Sequence, residues 1–442
     1  MKTLHITNAW HGSSGGIATF YRALMEAANC RQHEIRLVVP GDQDRVDDVG
    51  AHARIYTVAS RPAPLNPEYR LMRTDAYLRR GSRLRQILKA EKPDLVEVCD
   101  KYTLNYFAGM LRVGMMGDVG ARPLVVGFSC ERMDDNVRAY LGWSRIAHTL
   151  VQFYMKWLYF SLFDHHIANS EYTVEELRAA SFGHPIRRGV WIRPMGVDTH
   201  DLSPSHRSSF TRYDLLQRVQ AGPHGALLLY VGRMAPEKNL ALLLDTQQIL
   251  HRREDRDWRL LMVGDGVQRS AFLADAERRM PGRVIWLGHL RDRKELARIY
   301  ANCDVFLHPN PREPFGIAPL EAMASGLPVV VPDTGGVLSY ANSANAWTVA
   351  PDASSFARAV QDVVSNPSSR DRKVDRALDT AAAFSWEQVA AQFLDLYEDF
   401  GSAAQGNPRR LSANFYSTAP PGKGSPVARL TAGVVQRLLA TR

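Results

Sequence analysis

An α/β protein built from two parallel-sheet domains is what this sequence predicts, and three observations predict it. Apolar runs of strand length recur with helical segments between them, which is how parallel strands covered on both faces read. The alternation occurs twice, before and after residue 200. With 442 residues, the chain is long enough for two domains that each bury a core.

In order, Lys2 to Thr7 reads as the first strand and Ile17 to about Ala28 as the first helix. The glycine-rich turn between them, Trp10 to Gly16, has the geometry of an anion site. It lacks the dinucleotide fingerprint, since the spacing differs and no acidic residue is placed for a ribose. Glu34 to Val39 and Leu95 to Val98 read as strands, then a helix near Thr103 to Arg112, then the strand Leu124 to Phe128. Ligands in such sheets bind beyond the carboxyl ends of the strands, which places Ser129-Cys130-Glu131-Arg132 in a cleft. Ile167 to Thr173 reads as a strand end with Ser170 capping the next helix. The polar run Ser203 to Ser209 is expected to be the linker.

The second half opens with the strand Ala226 to Val231 and the loop Gly232-Arg233-Met234-Ala235-Pro236-Glu237-Lys238-Asn239. A glycine and two cations at a helix start suit a diphosphate, because arginine forks onto two oxygens and lysine acts as a point charge. Trp258 to Val263 and Val284 to Leu287 are the next strands, the latter ending in Gly288-His289-Leu290. Asp255-Arg256-Asp257 has the form of an acidic metal pair but lies in a charged run before a strand, so it reads as a solvated turn.

Asp304 to Leu307 starts the most informative unit: strand, a proline-rich loop holding Glu313, then Phe315-Gly316-Ile317-Ala318-Pro319-Leu320-Glu321. Pro319 is expected at the first helical position and Glu321 in the first turn. Gly326 stops the helix, and Val329 to Val331 is the closing strand. The loop presents backbone N–H groups at a helix N-terminus, where an anion is favoured. A carboxylate beside a phosphate is repelled by it, so Glu313 and Glu321 are expected to accept hydroxyl donors on either side of a diphosphate.

Glu313 and Glu321 have seven residues between them. With Gly232-Arg233 to Lys238 and Arg193 to Asp198, this spacing resembles the family-4 retaining glycosyltransferases, over about residues 1 to 400. The resemblance implies a GT-B fold, two Rossmann-like domains facing across a cleft. Residues 1–198 would form the acceptor domain and 199–384 the nucleotide-sugar domain. Residues 385–400 would be a helix crossing back. Beyond the resemblance, 401–442 is rich in Pro, Gly and Ser and basic, so it is expected to be a mobile tail. The resemblance also implies that Arg233, Lys238 and Glu313 carry catalysis. Gly16, Gly232, Leu290, Phe315, Gly316, Ile317 and Glu321 would join them in holding the donor. Glu313 would meet the sugar and Glu321 the ribose. One departure stands out: family members carry a histidine after the strand that here ends in Cys130-Glu131.

The remaining composition restricts partners. Four scattered cysteines argue against a disulfide framework or zinc site. No signal-peptide pattern and no run of membrane-spanning length is evident. A formal charge of +9 points to an anionic partner, and no nucleic-acid motif accompanies it. Arg70 to Lys89 holds seven basic residues against Asp75, with Tyr77, Leu84 and Leu88 at helical spacing. Ala147 to Phe163 is aromatic-rich around Lys156. Both are expected to dock on anionic lipid. The expectation is therefore a cytoplasmic, peripheral hexosyltransferase needing neither metal nor cofactor, with UDP- or GDP-sugar as co-substrate and a lipid or lipid-linked acceptor giving an α-linkage. A soluble saccharide acceptor and a catalytically weak partner subunit are the alternatives.

Overall fold

A computed structural model describes residues 1–11, 16–63, 66–117, 119–142, 144–182, 189–253 and 255–404. Gly12 to Gly15 of the first turn and the tail from residue 405 lie outside these. The elements of the first half are β1 (Lys2–Thr7), α1 (Gly16–Arg31), β2 (Glu34–Gly41), β3 (Arg45–Asp48), β4 (Ala53–Ala59), β5 (Arg61–Ala63), β6 (Asn66–Leu71), α2 (Asp75–Leu78), α3 (Arg83–Glu91), β7 (Leu95–Cys99), α4 (Asn105–Arg112), β8 (Leu124–Ser129), α5 (Met133–Leu141), α6 (Arg145–Phe153), β9 (His165–Ala168), α7 (Glu171–Ser181) and β10 (Gly189–Ile192). Those of the second are α8 (Ser209–Arg218), β11 (Ala226–Val231), α9 (Ala241–His251), β12 (Trp258–Val263), α10 (Arg269–Arg279), β13 (Val284–Gly288), α11 (Arg293–Asn302), β14 (Val305–Leu307), α12 (Ile317–Ala324), β15 (Val329–Pro332), β16 (Trp347–Val349), α13 (Ala353–Ser365), α14 (Pro367–Ala383) and α15 (Trp386–Ala404).

The strands form two main sheets, ordered β10-β9-β8-β7-β1-β2-β4-β3 and β13-β12-β11-β14-β15-β16. Within these two sheets the described pairings are parallel apart from that of the edge strand β3 with β4, and β5 and β6 form a separate antiparallel pair. The continuous apolar runs explain this: β12 and β15 are buried at every position, which only a sheet covered on both faces allows.

The chain crosses between the sheets at a two-stranded hinge. Val197 pairs with Ser385, its N–H donating to Phe384 O (2.9 Å) while Trp386 N–H returns to Val197 O (3.1 Å). The polar run Ser203 to Ser209 is not the linker. Arg207 donates to Ala301 O and Gly326 O, and Ser208 caps α8 while its N–H binds Asn302 Oδ1, so the run is docked on the second domain. After the hinge, α15 lies on the first domain. Phe393 packs on Phe20 and Phe128, Asp395 pairs with Arg31, and Tyr397 donates to the fully buried Glu97.

Arg70 to Lys89 is not one amphipathic helix but strand, short helix, turn and helix. Arg85 is buried and spends its donors on Tyr77 O, Leu78 O and Met115 O, while Tyr77, Leu84 and Leu88 belong to the core. Arg85 is therefore withdrawn from the surface. The segment Ala147 to Phe163 behaves differently. It is α6 continued by a π-helical turn over Tyr154–Tyr159, and it exposes Ile146 (74%), Leu150 (63%) and Phe153 (64%) with Trp157 in line.

Candidate active site

The site forms where loops of the second sheet meet the first domain. Gly316 is the N-cap of α12, at φ +84, so glycine is the residue that fits there without strain. The helix begins at Ile317, which puts Pro319 at its third position and Glu321 in its second turn rather than its first. Proline is tolerated there because the opening N–H groups of a helix have no intrahelical partner. Phe315 turns its ring into the core against Tyr340 and Phe384, so only its backbone can reach a ligand. Ile317 packs on the first domain: a Cβ at Gly16 would lie 2.7 Å from its Cδ1.

Glu313 is nearly buried and accepts from Lys238 Nζ through both oxygens (2.7 and 3.0 Å) and from Asn310 Nδ2 (3.0 Å). Burial alone would raise its pKa; the Lys238 ammonium outweighs this and holds the carboxyl down at about 2. His308, beside it at 3.7 Å, is pushed down to about 4, mainly by burial, and is neutral at pH 7. The loop carrying Glu313 is clamped by backbone. Gly336 N–H donates to Glu313 O (2.7 Å), and a Cβ at Gly336 would meet Pro314 O at 1.8 Å. Ser170 Oγ of the first domain also donates to Pro314 O, and Tyr340 donates to Gly316 O.

Arg233 pairs with Glu237 (2.8 Å), and Glu237 in turn accepts from Tyr140 Oη of the first domain (3.1 Å). Gly232 precedes it at the end of β11, and Tyr230 Oη donates to the Arg233 carbonyl (3.0 Å). Glu321 accepts from Tyr300 Oη (2.9 Å), and its pKa is raised by burial. Leu290 is half-buried beyond β13.

The structure therefore brings Lys238, Glu313, Gly316 and Ile317 together, with Ile317 against Gly16, while Arg233 pairs with Glu237 and lies near His11 of the first domain. Cys130 instead turns its sulfur toward Cys99, 3.8 Å away, and burial pushes its thiol pKa up. Glu131 accepts from Asn136 Nδ2 (2.8 Å), and burial raises its pKa too. Its carbonyl accepts from Lys101, which pairs with Glu176, a carboxylate that also accepts from Met133 N–H (2.7 Å). The β8–α5 loop is thus braced from beneath. Asp255 accepts from Trp258 Nε1 (3.0 Å), and Asp257 is engaged by Arg259 and Arg283.

Sequence reasoning passed over three residues here. Asn310 orients Glu313, and Gly336 clamps its loop. His11 lies against the Tyr69 ring, tilted by 55°, and near Arg233; burial first and that guanidinium second bring its pKa down to about 4. The glycine-rich turn was the available signal for His11.

Two Rossmann-like domains whose strand ends face each other, with paired cations and a helix N-terminus at the cleft, define a GT-B glycosyltransferase. The description "Glycosyltransferase Family 4" matches residues 14–201 and "Glycosyl transferases group 1" matches residues 216–379. The chain belongs to the family-4 glycosyltransferases and is a retaining glycosyltransferase. It is 26% identical over 396 residues to a GDP-mannose-dependent alpha-(1-6)-phosphatidylinositol dimannoside mannosyltransferase of Mycobacterium tuberculosis, covering 89% of this chain and 95% of that one. It is 24% identical to a GDP-mannose-dependent alpha-mannosyltransferase of Corynebacterium glutamicum, over 99% and 96% of the two. Among solved structures, sucrose-phosphate synthase from Thermosynechococcus elongatus superposes with a TM-score of 0.69 at 18% identity, covering 91% of this chain and all of that one.

Proposed function

We propose that this protein transfers a hexose, with mannose from GDP-mannose the first candidate, to a lipid-linked acceptor in α-linkage at an anionic membrane surface. The observation that carries the reading is the Lys238–Glu313 pair set against the Gly316–Ile317 amides and facing the first domain. Donor and acceptor identities rest on the relatives, which are GDP-mannose-dependent, one of them named for a phosphatidylinositol dimannoside.

The chemistry follows from charge. As the bond from sugar to diphosphate breaks, negative charge grows on the phosphate and positive charge on the sugar. Arg233, Lys238 and the amides at the start of α12 stabilise the first, electrostatic catalysis that needs no metal in this reading. Glu313, held ionised, lies where it can support the second. The departing phosphate oxygen takes the acceptor proton, so no enzyme base is required. Glu321, one turn into α12, accepts the ribose hydroxyls.

The membrane part rests on α6 and its π-helical extension, where Ile146, Leu150, Phe153 and Trp157 form an exposed apolar stripe edged by Arg145 and Lys156. Among the described residues no helix is long and apolar enough to cross a membrane.

The test is transfer by purified protein from GDP-mannose, UDP-glucose and ADP-glucose to a phosphoinositide acceptor, with the product's anomeric configuration read by NMR. A β-linked product, or donor consumption giving only an epimerised nucleotide sugar, would refute the reading.

A further inference from the structure

Two cysteines meet in the first domain. Cys99 ends β7, and Cys130 is the first residue beyond β8, the strand paired with β7. Val98 pairs with Gly127, so Cys99 stands beside Phe128 and Cys130 lies two residues further on. Strand residues alternate between faces, so an offset of two puts both side chains on the same face of the sheet. Their sulfurs are 3.8 Å apart, and both thiols are free.

The two differ in their freedom to move. Cys99 is buried within the parallel ladder, and its carbonyl accepts from Thr7 Oγ1. Cys130 is partly exposed, outside the strand, and its carbonyl accepts only a long contact from Asn169 Nδ2 (3.4 Å) among the described hydrogen bonds. Sulfurs in a disulfide are about 2.0 Å apart, so closing the bond asks for an approach of roughly 1.8 Å. That movement falls on Cys130 and the loop it begins. The loop leads into α5, which reaches the second domain. Asp135 pairs with Arg312 (3.5 Å), in the loop of Glu313, and Tyr140 donates to Glu237 (3.1 Å), the partner of Arg233. A shift at Cys130 is thereby passed to both loops of the candidate site.

We propose that Cys99 and Cys130 form a reversible disulfide when oxidised by a peroxide, and that this bond slows transfer by drawing α5 away from the Arg233 and Glu313 loops. Two thiols and one hydrogen peroxide give one disulfide and two waters. The Cys130 thiolate attacks the peroxide, the O–O bond breaks, and the sulfur keeps one oxygen as a sulfenic acid; the hydroxide that leaves takes up the thiol's proton. The Cys99 sulfur then attacks that of Cys130. The S–S bond forms, the S–O bond breaks, and the oxygen departs with the Cys99 proton as the second water. Burial keeps the Cys130 thiol protonated at neutral pH, which slows the first step and holds the pair reduced until an oxidant is present. The effect on transfer rests on the glycosyl-transfer reading, whereas the bond itself does not.

The test uses the full chain carrying C30S, so that the exposed Cys30 cannot link two molecules. After treatment with hydrogen peroxide and blocking of the remaining thiols, peptide mass mapping is expected to find Cys99 joined to Cys130. The initial rate of transfer from GDP-mannose to a phosphoinositide acceptor is expected to fall at least tenfold, and dithiothreitol to return it to within twofold of the untreated rate. C30S/C99A, which has no second sulfur to close the bond, is expected to stay within twofold of its untreated rate through the same treatment. Absence of the Cys99–Cys130 peptide overturns the proposal. A cross-link that leaves the rate unchanged, or an equal loss of rate in C30S/C99A, overturns the switch. A cross-link in a protein that transfers nothing even when reduced would overturn the glycosyl-transfer reading and leave the bond standing.

Discussion

Replacing Glu313 by Gln removes a charge and almost no volume, so its consequences are electrostatic. In the structure the carboxylate takes two contacts from Lys238 and one from Asn310, and its pKa falls from the ordinary 4.5 to about 2 against the pull of burial. A tenfold change in an acidity constant corresponds to ~1.4 kcal/mol, so this depression corresponds to ~3 kcal/mol of folding stability. The sign follows from the direction. A carboxyl depressed on folding contributes fully above its unfolded pKa, and the contribution is lost as pH falls from about 4.5 through about 2. Urea melts should show E313Q less stable at pH 7 by up to ~3 kcal/mol. That gap should narrow over this acid window, because only the natural chain has the contribution to lose. Function should divide in the same experiment. GDP affinity should change little, while the turnover rate falls by one to two orders of magnitude, since the sugar is least well held as it becomes cationic. A constant stability gap from pH 7 to pH 2.5, or a loss of GDP affinity as large as the loss of rate, would refute the reasoning.

Further perturbations address Glu321, the Glu313 loop and the exposed stripe of α6. Glu321→Ala should weaken GDP and GDP-mannose alike by about 10- to 100-fold in calorimetric titration, the loss of charge-assisted hydrogen bonds to ribose worth roughly 1.5–3 kcal/mol. Tyr300→Phe, which removes only the hydroxyl bonded to Glu321, should have a smaller effect of the same kind. Gly336→Ala places a methyl 1.8 Å from Pro314 O and must shift the Glu313 loop; initial rates should fall on the order of 100-fold, since displacements near 1 Å cost that much. L150D/F153D should abolish flotation with anionic vesicles at low salt while leaving the melting curve unchanged, because both side chains already face solvent.

Strand positions were legible because parallel strands buried on both faces leave continuous apolar runs, as in Leu227 to Tyr230 and Val329 to Val331. The glutamate pair and the Arg233–Lys238 loop were legible as words. What the sequence hid was long-range pairing. Lys238 and Glu313 are 75 residues apart, and nothing local says that the two cations assigned to phosphate also neutralise carboxylates. Glu97 lies inside an apolar run with nothing local to mark its partners; it is buried because Tyr21, His5 and Tyr397 converge on it, the last from α15. The cation-rich stretch from Arg70 misled for a related reason. Spacing placed Tyr77, Leu84 and Leu88 on one helix, whereas the break at Arg79 to Ser82 lets Arg85 fold under and cap the carbonyls of Tyr77 and Leu78.

In the proposed reaction, the pairing of the two cations bears on where the leaving diphosphate finds its stabilisation. Lys238 has three N–H donors, two of them directed at Glu313, and its side chain is largely enclosed. Arg233 is half exposed and spends one terminal nitrogen on Glu237, which Tyr140 of the first domain also holds. Each cation can therefore add a phosphate oxygen without giving up its carboxylate. The sum of Arg233, Lys238, Glu237 and Glu313 is zero, so the diphosphate brings net negative charge into the cleft. The compensating partial positive charge must come from α12. Its opening amides, at Ile317 and Ala318, have no intrahelical acceptor, and Pro319 follows with no N–H at all. On this account α12 is a stronger determinant of diphosphate affinity than either cation. Arg233→Ala also releases Glu237, so its cost should be partly recovered in R233A/E237A, whereas Gly316→Val, which strains the left-handed cap, should lose GDP affinity that no second substitution restores. Equal affinity of R233A and R233A/E237A for GDP would show that Arg233 acts on the phosphate independently of its carboxylate.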